Sequence, residues 1–243
     1  YSAADYARDG EAVIDTLVAE GKLPLVVGGS GLYIRTLVEG FFEAPKPSRE
    51  RRTQLLTEAK ACGILALRDR LEKVDPEAAS RIHPRDLQRT VRALEIYEQT
   101  GVPISQFQQK GVTRTKFTPL YLGLRRDRSH LGRRIEERVE KMVEQGFVEE
   151  VDSLLKAGYS PELNSFSAVG YREMANYLRG DTDLEEAIRL IKRNTKRYAK
   201  RQLTWFRGMA GVRWIELPEE LEISDVARRI ATMVRGTLAN GIQ

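Results

Sequence analysis

The sequence predicts an α/β protein whose parallel-sheet core is interrupted by an all-helical insertion. Three observations predict it. Leu23-Pro24-Leu25-Val26-Val27 is a short apolar run that reads as a buried strand and leads through Gly28-Gly29-Ser30-Gly31 into an apolar helix over 32–39. Strand, glycine-rich turn and helix in that order are the signature of parallel α/β packing. Residues 44–112 then hold charged helical segments and no convincing strand, and strand chemistry returns over 118–124 and 212–217. The expected division is a first part of the core over 1–43, a helical insertion over 44–112 and a second part of the core over 113–243.

Local chemistry justifies the other elements in order. Ala12, Val13, Leu17 and Val18 recur at helical spacing and stop before Gly21, which predicts a helix over 5–20. Ser48 can cap a helix over 49–61, and Gly63 parts it from another over 64–73. Asp75-Pro76 reads as an N-cap with proline at the first helical position. Asp86 caps a helix that runs to Gln99 and stops at Gly101, and Asp127 caps a long one stopped by Gly146. Helices follow over 147–156, 170–179 and 183–206, and Ser224 caps a closing one.

Composition narrows the function classes. With 41% apolar residues and nine prolines, 243 residues can bury a sizeable core. The chain has no apolar run long enough for a membrane span (about 18 residues) and no basic-then-apolar leader at Tyr1–Gly10, so a soluble cytoplasmic monomer away from membranes is expected. One cysteine, Cys62, excludes an internal disulfide and a thiolate zinc cluster, and the two histidines make no metal site alone. A net charge of +5 decides nothing until its distribution is known.

That distribution is uneven. On the helix over 183–206, Leu184, Ala187, Ile188, Ile191, Tyr198 and Ala199 share an apolar sector at 100° per residue. Seven cations and not one acid lie between Lys192 and Arg207, and the run ends in Trp205 and Phe206. A solvated face usually mixes signs, so this one fits a polyanion, with an ordinary exposed face as the alternative, and the two aromatics suit base stacking or the core equally. On the helix after Asp127, Arg134 and Arg138 stand four residues apart on one face; Glu136, Glu137 and Glu140 could simply pair with them. Arg85, Arg89 and Arg92 share a face of the insertion, again open to reading as a solvated surface. The glycine turn can favour an anion through its backbone N–H groups and the Ser30 hydroxyl, or can merely let a strand and helix approach.

Six collinear runs resemble the bacterial tRNA dimethylallyltransferases (tRNA isopentenylpyrophosphate transferases). They are Tyr1-Ser2-Ala3-Ala4-Asp5-Tyr6; Leu25-Val26-Val27-Gly28-Gly29-Ser30-Gly31-Leu32-Tyr33; Val74-Asp75-Pro76 with Arg81-Ile82-His83-Pro84; Gln88-Arg89-Thr90-Val91-Arg92-Ala93-Leu94-Glu95; Val169-Gly170-Tyr171-Arg172-Glu173-Met174; and Ala199-Lys200-Arg201-Gln202-Leu203-Thr204-Trp205-Phe206-Arg207. The resemblance implies a P-loop-kinase-like core with a helical insertion. It also implies transfer of a dimethylallyl group from dimethylallyl diphosphate to N6 of the adenosine 3′-adjacent to the anticodon, flipped into a channel, with Mg²⁺ bridging the diphosphate.

Carried over by motif, the resemblance gives Ser30 a catalytic and tRNA-contacting place, where a threonine is usual and the hydroxyl is kept. Arg138 falls at an arginine associated with the diphosphate, with Arg134 one turn earlier. Contacts to the tRNA anticodon stem-loop are implied for Arg52; for Gln88, Arg89, Thr90, Val91 and Arg92; for Ser167, Ala168, Val169, Gly170, Tyr171 and Arg172; and for Lys200, Arg201, Gln202, Leu203, Thr204, Trp205, Phe206 and Arg207. Arg85 stands where asparagine is frequent. The family's P-loop and proposed general-base aspartate match nothing here and are expected upstream of Tyr1, so the 243 residues alone are expected to be inactive. Competing readings are an adenylate isopentenyltransferase using free AMP or ATP, a non-catalytic RNA-binding protein, and a small-molecule kinase with an arginine-rich lid. The insertion and the acid-free basic run favour a macromolecular acceptor.

Overall fold

A computed structural model describes residues 1–40, 42, 44–109, 117–220 and 222–239. The chain divides into two compact units, Tyr1–Gly28 with Leu32–Phe117, and Gly29–Gly31 with Thr118–Gln243. The expected boundary at 112/113 lies outside the described residues.

The first unit is helical. Helix α1 (Ala3–Ala19) begins two residues earlier than the apolar spacing indicates, because Ser2 and Asp5 cap it reciprocally. Helix α2 (Gly31–Glu39) follows the glycine turn. Next come α3 (Arg49–Cys62), α4 (Ile64–Val74), α5 (Pro76–Arg81), α6 (Leu87–Thr100) and α7 (Ile104–Gln109). Ser48, Asp75 and Asp86 cap α3, α5 and α6 as their chemistry predicts. Asp75 does more than cap. One carboxylate oxygen accepts from Ala78 N at 2.9 Å and the other from Ser105 N at 2.9 Å, so a buried side chain ties α5 to α7. Around it Leu55, Leu67, Leu71, Val91, Leu94 and Ile96 form the core.

The run Leu23–Val27 is not a strand. It pairs with neither strand of the described residues, and Leu25 and Val27 are 78% and 83% exposed. Apolar content alone does not make a strand, since its backbone groups need a neighbouring strand to pair with.

The second unit holds β1 (Leu122–Arg126), α8 (Arg128–Glu144), α9 (Phe147–Lys156), a 3₁₀ turn (Asn164–Ser167), α10 (Tyr171–Leu178), α11 (Leu184–Arg207), β2 (Arg213–Leu217) and α12 (Ile223–Ala239). The two strands pair in parallel, Leu122 opposite Arg213 through Arg126 opposite Leu217. The first therefore starts four residues later than expected; Pro119 has no N–H to donate and the ladder is as long as β2 allows. Ser224 sits inside the first turn of α12, two residues too late to cap it. Asp127 and Asp183 cap α8 and α11. Val139, Phe147, Val151, Phe166, Met174 and Ile191 form this unit's core.

Candidate RNA and phosphate site

Two segments singled out separately in the sequence meet in the second unit. Gln202 Nε2 of α11 donates to Gly29 O of the glycine turn at 2.8 Å. A Cβ on Gly31 would collide with the Trp205 indole, so glycine there is what allows the turn to seat against the end of the basic helix. Ser30 lies exposed between these two contacts. Over the rest of this stretch Lys200, Arg201, Thr204 and Arg207 are exposed, while Gln202, Leu203, Trp205 and Phe206 are half-buried.

The basic face is less bare than its sequence suggests. Lys192 donates to Glu140 Oε1 at 2.5 Å, and Lys196 pairs with Glu136, so α8 supplies the carboxylates that α11 lacks from Lys192 onward. The hydrogen bond from Lys196 holds the Glu136 carboxyl below its ordinary range. Arg197, Lys200 and Arg207 have no ion pair among the described residues, and Arg201 stacks its guanidinium over the Tyr198 ring, 5.9 Å from the centroid. Tyr198 is itself 43% exposed, where the apolar-sector reading expects it buried. It sits two turns beyond Ile191, past the end of the cluster that covers the rest of that sector.

Arg134 and Arg138 are exposed and without an ion pair among the described residues. On a 100° wheel these arginines fall on the side of α8 opposite to Glu136. Asp127, at the head of α8, accepts from Ser129 N and His130 N at 2.7 and 3.2 Å. The Ser129 hydroxyl and these N–H groups lower its carboxyl to about 2.

The loop before α10 is fixed from two sides. Gly170 N donates to Glu173 Oε2 at 2.9 Å, and Asn194 Nδ2 of α11 donates to Glu173 Oε1 at 2.6 Å. Gly170 has φ +108°, and a Cβ there would also press on Phe147. Ser167 and Arg172 line one groove with Asn164, Asn176 and Arg179. Ala168 is exposed, Val169 half-buried and Gly170 buried. The Tyr171 ring packs edge-on to Phe147 and Phe166, and its hydroxyl donates to Glu150 at 2.5 Å, which raises its pKa.

In the first unit, Arg52 donates to Gln88, and Arg89 is exposed beside Asp86 at 3.5 Å. Thr90 and Val91 are wholly buried in the helical core and offer no surface to RNA in this structure, because the same 3.6-residue period that exposes Arg89 turns them inward. Arg92 is also committed internally. It donates to Glu95 Oε2 at 2.9 Å and to Pro45 O at 2.6 Å. Sequence reasoning missed Glu95 and Glu173 as partners of the site residues, and it offered Glu136 and Glu140 to Arg134 and Arg138 where the structure gives them to Lys196 and Lys192.

The family model described as IPP transferase matches residues 1–209, which is most of the chain. The chain belongs to the IPP transferase family. It is 48% identical over 220 residues to "tRNA dimethylallyltransferase 2" of Geotalea uraniireducens, covering 90% of this chain and 71% of that one. It is 47% identical over 231 residues to the "tRNA dimethylallyltransferase" of Geobacter sulfurreducens, covering 94% and 74%. The crystal structure of the full-length tRNA isopentenylpyrophosphate transferase of Bacillus halodurans superposes with a TM-score of 0.67 at 36% identity, covering 99% of this chain and 75% of that one. A eukaryotic dimethylallyltransferase acting on tRNA gives 0.76 at 26% identity, covering 97% and 62%. The likeness to these family members bears out the α/β, P-loop-kinase-like class with its inserted helices. No helix among the described residues is long and apolar enough to cross a membrane.

Proposed function

We propose that this protein transfers a dimethylallyl group from dimethylallyl diphosphate to N6 of the adenosine 3′-adjacent to the anticodon of a tRNA. The N6–C1 bond forms as the C1–O bond to diphosphate breaks, N6 loses a proton, and diphosphate departs. Charge separates along that path, positive on the allylic carbon and negative on the leaving group, so fixed guanidinium forks lower the barrier. Arg134 and Arg138, one turn apart and without an ion pair among the described residues, are the pair suited to the diphosphate. Among the described residues no three His, Cys, Asp or Glu side chains gather into a metal site.

The observation that carries the reading is the hydrogen bond from Gln202 to Gly29. It fastens the glycine turn, with Ser30 exposed on it, to the helix end that carries Lys200, Arg201 and Arg207. A phosphate-favouring turn and an RNA-favouring helix end thus share one frame, which suits an acceptor that is a polyanion and a donor that is a diphosphate. The test is transfer of radiolabelled dimethylallyl from its diphosphate, using the product of the complete gene, to tRNA and to AMP in parallel. Label on tRNA is the expected result. Label on AMP alone would make it an adenylate prenyltransferase, and label on neither would leave an RNA-binding protein.

A further inference from the structure

Tyr198 breaks the pattern of its helix. Its sequence position assigns it to the apolar sector of α11, yet 43% of its surface is open to solvent and the core cluster of the second unit does not include it. Arg201, one turn on, lies over its ring at 5.9 Å, and Arg197 beside it has no ion pair among the described residues. Lys196 and Lys192, two and six residues before Tyr198 on α11, are already neutralised by Glu136 and Glu140. Arg193 lacks an ion pair as well, and from Arg197 onward no cation of the helix has one among the described residues.

An exposed aromatic among free cations fits one ligand chemistry well. Phosphates take the guanidinium and ammonium groups, and an unstacked base takes the ring, because every base has a π-face and only single-stranded nucleic acid leaves it accessible. We infer that Tyr198, braced by Arg201, is a stacking platform for an unpaired base of the bound RNA, with Arg197 taking an adjacent phosphate. The inference rests on the proposed tRNA reading and adds to it a residue that discriminates a loop from a duplex. A duplex presents the same phosphates but no free base, so Arg197 serves both while Tyr198 serves only the loop.

The experiment measures binding of an anticodon stem-loop hairpin and of a blunt duplex of equal length to wild type, Tyr198→Phe, Tyr198→Leu and Arg197→Gln. Tyr198→Leu is expected to weaken hairpin binding roughly tenfold or more and to leave duplex binding and the salt slope as they are. Tyr198→Phe keeps the ring and should bind the hairpin within about twofold of wild type. Arg197→Gln should weaken both ligands and lower the salt slope by about one. Identical thermal melts across the set show that folding is unchanged. Equal hairpin affinity of Tyr198→Leu and wild type overturns the platform while leaving the tRNA reading intact, as does an equal loss on the duplex. Failure of wild type to bind either RNA overturns the inference together with the reading beneath it.

Discussion

Arg92 Nη1 donates to Glu95 Oε2 at 2.9 Å, and Glu95, with no exposed surface, receives Ser48 N at 2.5 Å on its other oxygen. A wholly buried carboxylate is tolerable only with partners, so Arg92 balances charge inside the helical unit. Arg89, three residues earlier, stays 69% exposed at the side chain. Arg92→Ala should therefore cost about 3 kcal/mol of stability. Arg89→Ala should cost less than about 0.5 kcal/mol, weaken tRNA binding and lower its salt slope by about one. Chemical denaturation and salt-dependent binding on the two variants separate the roles, and equal stability of both would refute the division.

Glu136 and Glu140 hold Lys196 and Lys192 against α8. Changing both acids to glutamine releases two ammonium groups on the basic face. Affinity for RNA should rise, and the slope of log K against log salt should steepen by up to about two. An unchanged slope would mean that those lysines stay out of reach of phosphate.

Gly31 leaves no room for a Cβ against Trp205, whereas a Cβ on Gly28 meets nothing within 4 Å. Gly31→Ala should destabilise the protein by about 1–3 kcal/mol through overpacking of a rigid indole. Gly28→Ala is the control and should melt as wild type does. Equal melting temperatures for the pair would show that the turn can draw back.

Arg138→Ala should raise the KM for dimethylallyl diphosphate and lower kcat, with kcat/KM falling roughly ten- to a hundredfold, since leaving-group charge grows toward the transition state. The Kd for tRNA should barely move. A defect confined to tRNA binding would reassign the residue.

Asp127 has its carboxyl lowered to about 2 from an ordinary 3.8, chiefly by the Ser129 hydroxyl. A depressed folded value means that its stabilising effect is whole above the ordinary one and is lost as pH falls toward about 2. Asp127→Asn can still cap α8 but cannot titrate. The melting advantage of wild type over this variant should shrink as pH drops through that window, and a constant difference would count against the cap's charge.

What could be read in the sequence was local. Ser48, Asp75, Asp86 and Asp127 announce helix starts because a cap acts on N–H groups two or three residues away. The motif matches placed the family for the same reason, each run carrying its own signal. What depends on distant partners was not legible. Leu23–Val27 has the composition of a strand but no neighbour to pair with among the described residues. The acid-free stretch of α11 looked uniformly available because Glu136 and Glu140 lie more than fifty residues upstream in sequence. Tyr198 looked buried because helical periodicity describes a helix's faces and not where along its length the packing partner ends.

The bond between Gln202 and Gly29 joins residues 173 positions apart. Closing so long a loop costs entropy that nearby contacts do not repay in advance, and synthesis delivers the helix end long after the turn. The glycine turn must therefore wait on the ribosome, without its seat, until α11 has emerged and folded. The helices of the first unit can form while the glycine turn still lacks its seat, which comes only once residue 202 has been made.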